Sequence, residues 1–225
     1  MNILAVDTAL GACSAALLQG DEFLAHRLAP MDRGHAEALA PMVESVLRES
    51  SLSMSELDRL AVTTGPGTFT GQRVGLAFMR GLRVALRIPL SGITSLEAMM
   101  VSAIDQTGAD HAAAVHDAKR NEVYLALASR DEILIAPCLL QVAEAVSAIE
   151  SAMQGMHRSR LAIAGTAAAA VSSSLRLSSG DTVSSSIAWP DARWVARLAR
   201  DVPAGRVPTP LYLRPPDARQ PVGKT

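Results

Sequence analysis

The chain has 225 residues, with 21 Lys and Arg against 22 Asp and Glu and a formal charge of −1. Hydrophobic residues make up 49% and charged residues 19%, which excludes a disordered chain and allows one large domain or two small ones. Aromatics at 3% argue against a platform that stacks single-stranded bases, and the balanced charge leaves no basic footprint for nucleic acid. In chain order, residues 2–7 are a continuous apolar run expected of a buried strand, and 13–18 and 23–29 follow as strands across a Gly-Asp hairpin signal. Residues 32–50 set Ala36, Leu39, Ala40, Val43, Val46 and Leu47 at helical spacing, with Pro41 expected to kink the helix or start a second segment. Ser53 with Glu56, and Thr94 with Glu97, have capping-box spacing; the first opens a short helix, the second a helix to about Ile104. Between them, 59–65 is a strand, 71–87 a helix and 89–93 a short strand. Residues 111–117 begin again with a strand, 141–153 is a helix, 160–165 a strand, and an alanine-rich helix starts near Thr166. The serine-rich stretch 172–186 reads as loop, Pro190 at a first helical position opens a helix over 191–201, and the proline-rich tail is extended.

A repeat underlies this order. Asp7 and Asp117, Asp21 and Asp131, and Glu22 and Glu132 are each 110 residues apart, and 123–137 echoes 14–28. So long a period suggests two similar α/β halves rather than a solenoid, here 1–106 and 107–225.

The stretch "TTGPGTFTGQRVGLAFMRGL" (63–82) has the look of a phosphate cradle, yet its spacing fits neither well-understood motif. Gln72 and Arg73 stand where a P-loop needs Lys and Ser/Thr, and Thr70 occupies the third glycine of a dinucleotide fingerprint. A helix N-terminus still attracts anions, so Asp7, Thr8, Gly67, Thr68, Asp117 and Lys119 are the candidate nucleotide or anion contacts. The other reading is a tight strand-to-helix turn, with Gly65 and Gly67 at unusual backbone angles and Thr70 as the cap. Asp7 and Asp117 have the same two readings: a cleft between hairpins, or carboxylates that bond the N–H groups of their own turns. Gly71 and Gly75, four apart, would let another backbone come close. Leu76, Phe78, Met79, Leu82 and Leu86, with Arg73, Arg80, Arg83 and Arg87 among them, cover more than one core face, as in a helix with a partner.

Metal and nucleophile chemistry find no support. His35 is followed four residues later by Leu39 rather than a second histidine, and His111 and His116 point to opposite faces of a strand. No Gly-x-Ser-x-Gly elbow occurs. Cys13 and Cys138 lie in apolar runs and read as core residues of a reducing compartment. The opening residues, with Asp7 interrupting the apolar run, fit neither a signal peptide nor a membrane span, so a cytoplasmic protein without a membrane partner is expected.

"ILAVDTALGACSAALL", "GHAEALAPMVESVL", "VTTGPGTFTGQRVGLAFMRGL", "GITSLEAM", "DAKRNEVYLA" and "PLYLRPPDAR" together resemble the bacterial TsaB family, accessory proteins of tRNA threonylcarbamoyladenosine biosynthesis. The resemblance implies two lobes of the actin-like, Hsp70-like and sugar-kinase-like ATPase superfamily, the second reduced. It implies a non-catalytic subunit that binds the larger catalytic paralogue TsaD, joined by the small ATPase TsaE, and meets tRNA only through that complex. It places the partner surface on helices 33–49 and 71–86, at His35, Leu39, Met42, Val43, Val46, Gly71, Arg73, Gly75, Leu76, Met79, Arg80 and Arg83, and implies a homodimer through the same surface when the partner is absent. No cofactor of the chain's own is expected, with ATP or ADP at the partner interface left open. Gln72 departs from the leucine usual in the family. The alternative is an independent ATPase or small-molecule kinase of the same fold, its cleft formed by Asp7, Asp117 and the Gly165 turn. A peptidase, an old label on relatives, has no nucleophile or ligand set here.

Overall fold

A computed structural model describes residues 1–156, 159–176, 182–203 and 205–214. Part of the serine-rich stretch (177–181) and the end of the tail lie outside them. The first half runs β1 (Asn2–Asp7), β2 (Ala12–Gln19), β3 (Glu22–Pro30), α1 (His35–Ser50), β4 (Arg59–Thr63), α2 (Phe69–Leu86), β5 (Leu90–Ile93) and α3 (Ser95–Thr107). The second runs β6 (His111–Lys119), β7 (Glu122–Ser129), β8 (Ile133–Gln141), α4 (Val142–Met153), β9 (Leu161–Ala164), α5 (Ala168–Ser172), β10 (Thr182–Ser184) and α6 (Ala192–Asp201). The halves match element for element. Strand orders are β3-β2-β1-β4-β5 and β8-β7-β6-β9-β10, antiparallel within each meander and parallel thereafter.

The two halves exchange their last helix. α3 packs on the second sheet, against β6, β9 and β7, whereas α6 returns to β1, β2, β4 and β5 of the first. The spatial lobes are therefore not the sequence halves 1–106 and 107–225. Trp194, Val195, Ala196 and Ala199 of α6 close over Ile3, Ala5, Ala16 and Leu18. The opposite face of the first sheet is covered by α1 and α2, whose Leu39, Val43, Val46, Leu76 and Met79 join Leu4, Val6 and Leu60. The second sheet lies between α3 on one side and α4 and α5 on the other.

Local details correct several expectations. α1 runs unbroken through Pro41, whose ring is exposed, while buried Leu39 and Val43, two residues to either side, hold the helix to the sheet. Ser53 and Glu56 form their box on a short 3-10 turn, Met54–Glu56. Thr94 and Glu97 bond each other's backbone N–H groups at 3.1 and 2.8 Å, opening α3. α2 begins two residues early, capped by Thr68 rather than Thr70: the Gly71 N–H donates to Thr68 Oγ1 at 3.1 Å. Asp191 caps α6, accepting the Arg193 N–H at 2.8 Å, so Pro190 lies one residue before the cap rather than at the first helical position. No helix among the described residues is long and apolar enough to cross a membrane.

Candidate functional site

The repeated aspartates perform the same local task. Asp7 Oδ1 accepts the Ala9 N–H at 3.1 Å, and Asp117 Oδ1 accepts the Lys119 N–H at 2.8 Å, each two residues ahead in its turn. Their surroundings diverge. Asp7 is fully buried, also accepts the Thr63 hydroxyl at 2.5 Å, and has no partner for Oδ2 among the described residues. Burial disfavours its charged form and pushes its carboxyl up to about 7. Asp117 is more exposed, and the hydrogen bonds from Lys119 hold its carboxyl below the usual range. Beside it, burial pushes His116 down to about 4, and its Nδ1 lies 3.2 Å from Thr166 Oγ1.

The glycines of α2 are filled from within the molecule. Thr8 Oγ1 donates to the Gly71 carbonyl at 2.7 Å and accepts the Gly75 N–H at 3.0 Å. A Cβ at Gly71 would strike the Thr8 carbonyl, and one at Gly75 would lie 2.7 Å from Thr8 Oγ1. The backbone that this stripe lets approach belongs to the turn after β1. Gly67 serves the same turn: a Cβ there would strike the Ala9 carbonyl, and Gly67 does not adopt the positive φ that Gly65 does.

The expected partner residues accordingly divide. Leu39, Val43, Val46, Gly71, Gly75, Leu76 and Met79 are buried in the chain itself, Met79 completely. His35 is half-buried, with Nε2 3.0 Å from the Leu10 carbonyl, and Met42 packs along the core edge. Arg73 is exposed, and Arg80 and Arg83 are half-buried. Arg80 donates to the Pro208 carbonyl. The outward face of α2 belongs instead to Ala77, Gly81, Val84 and Ala85, all exposed, with Val84 at 72%. Val74 and Phe78 stand beside them half-buried, and a Cβ at Gly81 would meet nothing within 4 Å.

A cavity of about 740 Å³ opens between the lobes. Gly67, Thr68, Asp117 and Lys119 line it; Asp7 and Thr8 lie behind the wall. One side is built by the tail, which the sequence had marked only as extended. The Leu211 N–H donates to the Thr64 carbonyl at 2.7 Å, and Tyr212 stacks on Phe69 with ring centroids 5.3 Å apart. Arg73 lies over Phe69 at 3.5 Å and donates to the Tyr212 hydroxyl at 3.0 Å. Arg214 donates to the Ala118 carbonyl at 2.9 Å and pairs with Glu122, so the tail ties α2 to the β6–β7 hairpin. Among the described residues no three His, Cys, Asp or Glu side chains gather closely enough to hold a metal ion. Cys13 is a core residue, its thiol pushed by burial up to about 12.

Comparison with known proteins accords with this architecture. A solved structure from Pseudomonas aeruginosa, described as an uncharacterized protein with similarity to peptidase YEAZ, superposes with a TM-score of 0.77 at 28% identity, covering 95% of this chain and 99% of that one. Component A of (R)-2-hydroxyglutaryl-CoA dehydratase from Acidaminococcus fermentans shares the fold at a TM-score of 0.51 and 12% identity, covering 88% and 97%. The lobes are those of the actin-like ATPase fold. The tRNA threonylcarbamoyladenosine biosynthesis protein TsaB of Escherichia coli (strain K12) is 40% identical over 133 residues, 59% of this chain. The chain spans little more than half of that relative, 57% of its length. The family model described as TsaD, tRNA N6-adenosine threonylcarbamoyltransferase, matches residues 27–204. With most of its length inside that match, the chain belongs to the TsaD family, alongside the relatives named TsaB.

Proposed function

We infer that this chain is a non-catalytic subunit of the machinery that forms threonylcarbamoyladenosine beside the anticodon of tRNAs reading codons that begin with adenine. It binds and supports the catalytic TsaD subunit, with TsaE as third component, and reaches tRNA through that assembly. Alone it pairs with itself through the same face. The observation that carries the reading is the outward stripe of α2. Ala77, Gly81, Val84 and Ala85 are small or apolar, exposed, and spaced to lie along one side of a helix whose opposite side is already spent on the core. A helix apolar on both sides suits packing against a second helix, and open space at Gly81 lets that helix come close. Half-buried Arg83 gives the same face a charged edge.

The non-catalytic part of the reading rests on what surrounds the signature residues. His35 is engaged at the Leu10 carbonyl and Leu39, one turn on, is 1% exposed, so this helix turn is committed to packing. The Thr68, Gly71 and Gln72 N–H groups of the glycine loop are bonded inside the chain. Mixing the purified chain with a TsaD-type subunit and resolving the mixture by size-exclusion chromatography tests the proposal. A stable complex is expected, with negligible phosphate release from ATP by the chain alone. Separate elution, or steady hydrolysis abolished by Asp7→Ala, overturns it in favour of an independent ATPase.

A further inference from the structure

We propose that the open edge of the first sheet, at β5, binds the carboxyl end of an extended peptide as a short added strand. The inference is independent of the partner face and of the cavity between the lobes. β5 is the last strand of its sheet and pairs only with β4. The Leu60 N–H donates to the Pro89 carbonyl at 2.9 Å and the Thr64 N–H to the Ile93 carbonyl at 2.8 Å, so Pro89, Ser91 and Ile93 face β4. Backbone groups alternate along a strand, which turns the N–H and carbonyl groups of Leu90 and Gly92 outward. Among the described residues nothing bonds to them. A cleft of about 310 Å³ lies along this edge, with the segment after α6 as its outer wall. Both ends of that wall are pinned. Arg59 donates to the Ala199 and Val202 carbonyls at 2.5 and 2.6 Å, and Arg80 donates to the Pro208 carbonyl. Pro208 packs so near the strand that a Cβ at Gly92 would lie 2.6 Å from its Cβ.

The lining sets the chemistry of the occupant. Ser91 lines the cleft at 4% exposure, and its hydroxyl has no partner among the described residues, which leaves a buried donor unspent. Arg206 is exposed and carries no ion pair among the described residues, and neither Asp nor Glu is among the residues that line the cleft. A hydroxyl and a guanidinium without a counter-charge call for an anionic acceptor. Leu90, Val202 and Pro203 add an apolar surface for a side chain beside it. A bare inorganic anion would meet Arg206 and Ser91 but leave the outward carbonyls of β5 without donors. A peptide end supplies the carboxylate together with alternating N–H and carbonyl groups, the pattern by which an extended segment extends a sheet.

Titrating the isotope-labelled full chain with acetyl-Ala-Gly-Val-Val, free or amidated at its carboxyl end, and with inorganic phosphate tests the claim by amide NMR. Saturable shifts at the Leu90 and Gly92 amides are expected with the free peptide, and binding about tenfold weaker with the amidated copy. Phosphate alone should leave those amides in place. Arg206→Gln, a change at an exposed side chain, should weaken the free peptide by about tenfold, leave the amidated copy unaffected and hold the melting temperature. No saturable shift at millimolar peptide overturns the proposal, and so does equal binding of the free and amidated peptides. Phosphate that saturates the β5 amides as the peptide does overturns it in favour of a small-anion site.

Discussion

The hydroxyl of Thr8 lies 2.7 Å from the Gly71 carbonyl, inserted between that carbonyl and the Gly75 N–H, two groups that an α-helix ordinarily joins to each other. The turn after β1 is thereby stitched into α2, and both glycines are explained by the space it needs. Replacing Thr8 by Val leaves a methyl against two buried polar groups, at a cost of about 1–3 kcal/mol. Thr8→Ser keeps the bridge and most of the stability. Chemical denaturation of the two variants checks this; equal losses would mean that packing, not the hydroxyl, matters.

Asp7 and His116 pull stability in opposite directions with pH. The Asp7 carboxyl is raised in the fold to about 7, so its contribution is fully present below the unfolded value near 3.8 and is lost as pH rises through 7, by on the order of 4 kcal/mol. His116 is depressed to about 4, so its contribution is present above about 6.5 and lost as pH falls through 4, by on the order of 3 kcal/mol. The slopes nearly cancel in the wild type between pH 4 and 6.5. Asp7→Asn removes one, and its stability is expected to rise with pH across that window. A flat profile in this variant, from melts at several pH values, would contradict the burial of His116, and a wild type that rises as steeply as the variant would contradict the burial of Asp7.

Asp191 ties three groups at once: it caps α6, lies 2.9 Å from His26 Nε2 and holds Arg193 at 2.7 Å. Its carboxyl sits at about 2, lowered by the hydrogen bonds from His26 and Arg193 against the cost of burial. That contribution is present above about 3.8 and lost as pH falls toward 2. Asp191→Ala should cost about 1–3 kcal/mol at neutral pH and release α6 from the first sheet earliest, visible as faster amide exchange over 192–201. Uniform exchange across both lobes would show that α6 does not open on its own.

Much of the fold was legible because its signals are local. The strands of 2–7 and 13–18 announced themselves as apolar runs, and the 110-residue echo of Asp7 in Asp117 marked the repeat that the matching strand orders display. The orientation of α2 was not legible. Leu76 and Met79 face the core while Ala77, Gly81 and Val84 face out, and a helix apolar on both sides gives no sequence cue to which is which. Nor could spacing reveal that the backbone received by Gly71 and Gly75 is that of Thr8, 63 residues before Gly71. The cavity wall was hidden for the same reason: Tyr124, Trp189 and Tyr212 carry no shared local pattern and meet only through the fold.

Gly81 separates folding from association. Its Cβ position is empty, so Gly81→Ala should stabilise the isolated chain by about 0.5–1 kcal/mol through helix propensity. Gly81→Trp should fold equally well yet block a close partner. Loss of stability in the alanine variant, measured by thermal melts, would mean that the site is not open.

The central claim is that the outward face of α2 supports a catalytic partner, and its most direct measurement is threonylcarbamoyladenosine formed on tRNA by a reconstituted mixture of this chain, TsaD and TsaE, read by mass spectrometry of the digested nucleosides. Wild-type chain should restore the product, and Val84→Asp, a change at a position 72% exposed in the isolated chain, should fold normally and fail to restore it. Full product formation with Val84→Asp, or product formed equally well without the chain, would contradict the account.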